Sequence, residues 1–153
     1  MSYVNRVLQS GETIRYRANL HWILYLRGVL CCIAAVVIFA LARDTHGFVY
    51  WAAMVAGWLF LAGGILLIAH TWYIWWTTEI AVTDRRIIYK TGFIYRETSE
   101  MNMDKVESVD VDQSIPGRIL DYGDVSIVGT GSTWEKLRTI AKPIELRNHI
   151  TAA

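Results

Sequence analysis

The sequence predicts a membrane α-helical hairpin followed by a mainly-β module, in which a curved antiparallel sheet ends in a C-terminal helix. Two observations predict this class. Residues 22–42 and 48–69 are long apolar runs that together contain one charged side chain, and beyond residue 76 short alternating segments are separated by turn residues. The 153-residue chain is 54% hydrophobic, which is too apolar for an ordinary small soluble domain.

The charges also divide the chain into two parts. Residues 1–76 carry five Arg against two acidic side chains, a net of +3, whereas residues 77–153 carry ten Lys and Arg against twelve Asp and Glu, a net of −2. The whole chain is therefore nearly neutral, at +1. Because nucleic-acid binding needs a dense basic face to neutralise phosphates, no nucleic-acid partner is expected.

The first 21 residues are predicted to be a cytoplasmic segment that contains a β-strand. Ile14, Tyr16 and Ala18 alternate with charged or polar neighbours, which is the period of a half-buried strand. We expect this strand to pack on or extend the sheet that follows the second apolar run. The two sides of the hairpin would then belong to one unit.

The first apolar run, residues 22–42, is predicted to be a transmembrane helix. Its 21 residues would rise about 30 Å, the thickness of a bilayer hydrocarbon core. Arg27 lies about one and a half turns into it. Its side chain either snorkels to the headgroups or takes part in helix packing or partner binding. Cys31 and Cys32 are expected to be small buried apolar residues, with palmitoylation as the alternative.

The second apolar run, residues 48–69, contains no charge and is predicted to be the second transmembrane helix. The loop of residues 43–47 is short enough to make the two helices antiparallel. Four small residues on the second helix would let another helix approach closely, either the first span or a second protein. These helix-packing residues are Ala53, Gly57, Gly63 and Gly64.

The distribution of Lys and Arg predicts the orientation. Four Arg lie at or before the start of the first span, and more basic residues follow the second, so both termini should be cytoplasmic and the loop should face outside. Aromatic residues flank the cytoplasmic ends of the spans, where amphipathic rings favour the headgroup layer. The predicted interface residues, together with Arg27, are Trp22, Trp72, Tyr73, Trp75 and Trp76.

The remaining residues, 77–152, are predicted to form the β module. Strands are expected at 78–82, 86–90, 93–98, 106–112, 123–129 and 133–140, with turns at Thr83–Arg85 and Thr91–Gly92. The segment 114–117 is expected to break the fourth strand, and 118–120 to form one helical turn. Pro143 suits the first turn of a helix, so residues 143–150 are predicted to be the closing helix.

These features resemble the bacterial PH-domain family, also called the membrane-flanked domain, in which a transmembrane hairpin accompanies a PH-like module. The residues that carry the resemblance span nearly the whole chain: Gly11-Glu12, His21-Trp22, Val82-Thr83-Asp84-Arg85-Arg86-Ile87, Gly92, Val106, Gln113-Ser114, Gly117-Arg118-Ile119-Leu120, Tyr122-Gly123, Val125, Ile127 and Pro143. The resemblance implies a PH-like fold and a place in the bacterial inner membrane. This sequence lacks a second copy of the module.

No catalytic constellation is evident from the residue pattern. The four His are scattered, and none is spaced from another His, Cys or carboxylate as metal ligands are. Asp104, Glu107, Asp110 and Asp112 lack the spacing and glycine of a calcium loop, which favours a solvated strand face. We therefore expect a non-enzymatic protein that needs no metal and no cofactor.

Two functions remain open from the sequence. The leading interpretation is protein–protein assembly in a membrane complex or a homo-oligomer, through the sheet edge, the closing helix and the small-residue helix faces. The alternative is a sensor of anionic lipid headgroups, since each basic group near an anionic leaflet contributes about 1 kcal/mol. The candidate headgroup contacts are Arg85, Arg86, Lys90 and Arg96.

Overall fold

The computed structural model describes residues 3–92, 97–130 and 132–152. It divides into two compact units, one made of residues 1–21 with 74–153 and the other of residues 22–73. Two long apolar helices are followed by a mainly-β antiparallel module with a C-terminal helix, so the predicted fold class is confirmed.

The helical unit contains the two helices of the hairpin. A single 3₁₀ turn, Trp22–Tyr25, leads into α2 (Leu26–Ala42), and α3 runs from Phe48 to Thr77. The helical stretch Trp22–Ala42, which includes the 3₁₀ turn, and α3 are each long and apolar enough to cross a membrane. The helix α3 is eight residues longer than the predicted span, because the aromatic residues after Ala69 continue the helix.

The first sheet has the strand order β1-β2-β3-β4, all antiparallel. Its strands are β1 (Ile14–Ala18), β2 (Glu79–Thr83), β3 (Arg86–Thr91) and β4 (Glu97–Asn102). The strand predicted within the first 21 residues is thus the edge strand β1, paired with β2 across the hairpin insertion. A five-residue helix that was not predicted, α1 (Tyr3–Val7), precedes it.

The second sheet has the order β5-β6-β7, again antiparallel. It contains β5 (Val106–Asp112), β6 (Tyr122–Gly129) and β7 (Ser132–Ala141). A bridge between Leu20 and Ile140 joins the two sheets at one corner, where the backbone N–H of His21 donates to the carbonyl of Thr139 over 2.8 Å. Strand β6 alternates fully between buried and half-buried residues, as its sequence pattern predicted.

The closing helix α5 (Pro143–Thr151) packs against β5, β6 and β1 over the core. The core combines both sheets with Leu146 and Ile150 of this helix.

Two predicted boundaries were wrong. The segment 114–117 does not merely break the strand but begins a helix, α4 (Ile115–Leu120), because the Ser114 hydroxyl caps it by accepting from the backbone N–H of Gly117. The strand predicted at 93–98 is described from Glu97 and continues to Asn102, four residues beyond its predicted end; residues 93–96 lie outside the described part of the chain.

Candidate functional site

The most densely hydrogen-bonded polar cluster of the module surrounds Glu12. Gly11, with φ of 80°, turns the chain in a conformation that favours glycine, and the Glu12 side chain that follows is fully buried. One carboxylate oxygen accepts from the Thr83 hydroxyl at 2.8 Å and from Arg86 Nε at 3.0 Å; the other accepts from Arg86 Nη2 at 2.9 Å and from the Gln9 backbone N–H at 2.8 Å. This is a bidentate carboxylate–guanidinium pair.

The remaining donors of Arg86 are also used inside the protein. Nη1 donates to Glu100 of β4 at 2.8 Å, and Nη2 donates to the carbonyl of Val7 at the end of α1 at 2.8 Å. Arg86 therefore connects the N-terminal segment to three strands of the first sheet. Its side chain is 11% exposed.

The pKa values of the pair reflect this arrangement. Burial alone would raise the pKa of Glu12, but hydrogen bonds from Arg86, the Gln9 backbone and Thr83 outweigh it and lower the pKa below its ordinary 4.5. Hydrogen bonding to Glu12 raises the pKa of Arg86 against the opposing effect of burial. Both side chains are charged at neutral pH, so the pair fixes the N-terminal segment on the turn between β2 and β3.

Only some of the candidate headgroup residues face solvent. Arg85 is exposed, whereas Lys90 is 9% exposed, with Nζ 5.7 Å from the centre of the Tyr3 ring and 3.9 Å from a Glu79 oxygen. Arg86 is held by Glu12 as described above. Arg96 lies outside the described residues. The three described cations, Arg85, Arg86 and Lys90, do not form one basic surface.

An open cleft of about 420 Å³ lies beside the exposed Arg85. Its walls carry charges of both signs and come from the N-terminal segment, the β2–β3 turn and the start of the β4–β5 connection. The lining residues are Gln9, Asp84, Arg85, Arg86, Asn102, Met103 and Asp104. The mixture of carboxylates and guanidinium groups gives this cleft no net attraction for an anionic headgroup.

Strand β5 forms an edge of the second sheet. Among the described residues it pairs with β6 alone, so its other side presents unpaired backbone groups. Val109 points into the core, whereas Asp110 and Asp112 are exposed on the opposite face, and Glu107 is exposed near the start of the strand. Three of the four acidic residues noted in the sequence therefore lie on this edge strand, whereas Asp104 lies just before it.

The helix α5 is held beside β1 and β5 by contacts along its length. The Tyr16 ring stacks on His149 with ring centres 4.6 Å apart, and its hydroxyl lies 3.5 Å from a Glu145 oxygen. Leu146 is completely buried. The helix thus forms a fixed wall of the module rather than a mobile appendage.

The small residues of the hairpin differ in what surrounds them. A Cβ built on Gly64 would lie 2.6 Å from Cys32 Sγ and 3.0 Å from the carbonyl of Gly28, and one on Gly57 would collide with the Phe39 ring. Gly63 has nothing within 4 Å, and Ala53 is half-buried. The close approach of α2 and α3 therefore uses Gly57, Gly64 and also Gly28, which the sequence reasoning missed. The spacing of Gly28 and Cys32 four residues apart was the available signal.

The predicted interface residues are all exposed within their own units. Trp22, Arg27 and Trp72 are exposed in the helical unit, and Tyr73 is 38% exposed there. In the β unit Trp75 and Trp76 are exposed, and the indole N–H of Trp75 donates to the carbonyl of Leu20 over 3.2 Å. No three His, Cys, Asp or Glu side chains are grouped to hold a metal ion within residues 3–92, 97–130 and 132–152.

The family comparison agrees with the geometry. The model of the family described as Bacterial PH domain matches residues 23–153, which include both apolar helices and the whole β-rich part after them. The chain therefore belongs to the bacterial PH-domain family. PH domains generally bind lipids or proteins and are generally not catalytic. Neither a curated protein nor a solved structure matches the chain.

Proposed function

We propose that this chain is a non-enzymatic inner-membrane protein whose cytoplasmic PH-like module binds a partner protein within a membrane complex. In this proposal the two apolar helices span the bilayer, and both termini are cytoplasmic. The observation that carries the proposal is the edge of β5, which pairs only with β6 among the described residues and runs beside the fixed helix α5.

A free strand edge can bind an extended segment of another protein by adding a strand to the sheet. The backbone groups supply the hydrogen bonds, and the neighbouring side chains supply the specificity. Here those side chains are acidic, because Glu107, Asp110 and Asp112 are all exposed along β5. We infer that the partner segment carries Lys or Arg.

The same charges argue against pairing of this edge with its own copy. Two β5 strands related by a two-fold axis would bring their carboxylates together, and like charges opposite each other destabilise a strand pair. A homo-oligomer, which the sequence left open, would therefore use a different surface. Headgroup sensing has less support, because Arg86 and Lys90 are buried and engaged with Glu12 and Glu79.

Native mass measurement of the full chain, extracted from its own membrane in a mild detergent, tests the proposal. We expect a discrete assembly whose mass exceeds the 17.5 kDa of the chain by that of a second protein. Replacing Asp110→Lys and Asp112→Lys together should dissociate that assembly, because the edge would then repel a basic segment. Glu97→Lys with Asp104→Lys is the matched control, since these exposed carboxylates lie outside β5.

Other results of the mass measurement would change the proposal. A monomer that retains anionic lipid would overturn the assembly proposal in favour of headgroup sensing. An exact multiple of the chain mass would indicate a homo-oligomer. An assembly that survives the β5 charge reversal but not the control reversal would place the partner elsewhere on the module.

A further inference from the structure

The short helix α4 carries the most exposed isoleucines of the β unit. Ile115 and Ile119 are each 78% exposed, and Leu120 is 40% exposed. Residues four apart lie on the same helix face, so the two isoleucines form one apolar ridge. Single exposed apolar residues are common on soluble proteins, but three within one six-residue helix mark an interaction surface.

This ridge is held rigidly in place. The Gln113 amide donates to the carbonyl of Tyr122 at 3.1 Å, and the backbone N–H of Arg118 donates to the carbonyl of Ser114 at 2.9 Å. A Cβ on Gly117 would lie only 2.6 Å from the carbonyl of Tyr122, so the buried Gly117 allows α4 to lie directly on the start of β6. The isoleucines are thus exposed on a fixed support rather than on a loose loop.

Helix α4 and the start of β6 lie next to the ends of the β unit that lead to the apolar helices. Tyr122, three residues after Ile119, stacks on His21 with ring centres 5.1 Å apart. His21 directly precedes the first apolar helix, and the carbonyl of Leu20 accepts a hydrogen bond from Trp75 near the end of the second. Three residues of chain reach at most about 11 Å. The ridge is therefore close to the residues that would lie at the headgroup layer if the helices span a bilayer.

We propose that α4 is a third membrane contact, in which Ile115, Ile119 and Leu120 enter the boundary between the headgroups and acyl chains of the bilayer that holds the hairpin. Arg118, exposed on the same helix, contacts lipid phosphates. This contact orients the module relative to the membrane. The inference rests on the membrane-spanning part of the proposed function but not on the β5 partner.

Fluorescence quenching by lipid-attached nitroxides tests the contact in the full chain. The protein is reconstituted in nanodiscs of phosphatidylcholine with a minor fraction of phosphatidylglycerol. Single labels are placed on a Cys31→Ala, Cys32→Ala background at Arg118→Cys, at Glu107→Cys and at Trp58→Cys. Position 107 is the control in the module, because it lies near the opposite end of β5 from α4, about 17 Å along the strand from Asp112. Position 58 is exposed in α3 and reports whether the hairpin spans the bilayer.

We expect a nitroxide near the headgroup to quench the label at 118 several-fold more than the label at 107. Adding Ile115→Ser and Ile119→Ser should reduce quenching at 118 to the level at 107. Equal quenching at 118 and 107, with strong quenching of the label at 58 by a deep nitroxide, would overturn the α4 contact and leave the membrane hairpin standing. Absence of quenching at 58 would overturn the hairpin itself and the α4 contact with it.

A protein partner on α4 is a separate outcome of the same experiment. The label at 118 would then be shielded from aqueous iodide but not quenched by lipid nitroxides, which overturns the membrane contact. Retained quenching after both isoleucines are replaced would also overturn it, since the apolar ridge would not be the cause.

Discussion

The helical hairpin and the β module bury opposite classes of side chain. In the hairpin the contact face is made of the smallest residues, such as Gly28 and Gly64, while large apolar side chains point outward; Phe48 is 87% exposed. In the module the large apolar residues of the two sheets, such as Ile87 and Ile127, are buried, and even the charged pair of Glu12 and Arg86 lies inside.

This difference is the one expected if the module lies in water and the hairpin lies in lipid, as we propose above. In water, burial of apolar surface stabilises a core, and a charge inside it is tolerated only with a well-placed partner. In lipid there is no such drive between helices, so their association depends on close backbone approach at small residues. Removing a charge should therefore damage the module, and enlarging a small residue should damage the hairpin.

The largest effect is expected from Glu12→Ala. This change leaves the Arg86 guanidinium buried without its two-oxygen partner, and breaking a buried pair in this way costs about 3–5 kcal/mol of unfolding free energy. Hydrogen exchange of backbone amides, followed by mass spectrometry in the full chain in nanodiscs, measures it. Peptides from β2 and β3 should lose protection, while peptides from the apolar helix α3 keep theirs.

Glu97→Ala is the matched control, because Glu97 is an exposed carboxylate of β4. It should leave the exchange of β2 and β3 close to that of the unaltered protein. Equal protection in the Glu12→Ala and Glu97→Ala variants would contradict the assignment of a stabilising role to the buried pair.

A smaller effect is expected from Gly64→Val in the hairpin. The added side chain meets Cys32 Sγ and the backbone of Gly28, so α2 and α3 must separate, at a cost of about 1–3 kcal/mol. Four of the seven Trp lie in the helical unit, residues 22–73, and two more lie at the end of α3, so Trp fluorescence during heating in detergent reports mainly on the hairpin. Gly63→Val, with open space around it, should melt with the unaltered protein. Equal melting of the two variants would show that close helix approach does not stabilise the hairpin.

The sequence predicted those elements that show a hydrophobic pattern within their own segment of the chain. Alternation predicted β5 and β6, and continuous apolar runs predicted the two long helices. The C-terminal end of β4 was predicted four residues too early because Glu97–Asn102 is largely polar, and its strand form depends on in-register pairing with β3. A five-residue helix such as α1 carries no periodic signal; Glu79 fixes it by accepting from the backbone N–H of Tyr3 and Val4.

The buried cluster was beyond sequence reasoning for a similar reason. Gly11-Glu12 and Thr83-Asp84-Arg85-Arg86 were each recognised, but they are separated by about seventy residues that include both apolar helices. Nothing in a single sequence pairs Glu12 with Arg86 rather than with another cation. Arg85 and Arg86 looked equivalent as surface charges, yet Arg85 is exposed in the turn between β2 and β3, whereas Arg86 begins β3 and is buried against Glu12.

The smallest expected effect is the pH dependence of the same pair, which sharpens the comparison without altering any packing. The folded pKa of Glu12 is lowered below 4.5, so its ionised form stabilises the module fully above the unfolded pKa, and this stability is lost as the pH falls through the folded pKa.

Gln in the Glu12→Gln variant does not titrate. Amide exchange of β2 and β3 in nanodiscs should therefore show a gap in stability between the two proteins that is largest near neutral pH and narrows on acidification below 4.5. A gap that stays constant down to the lowest pH at which the protein remains folded would mean that the Glu12 charge contributes nothing, and that hydrogen bonding alone holds the N-terminal segment on the sheet.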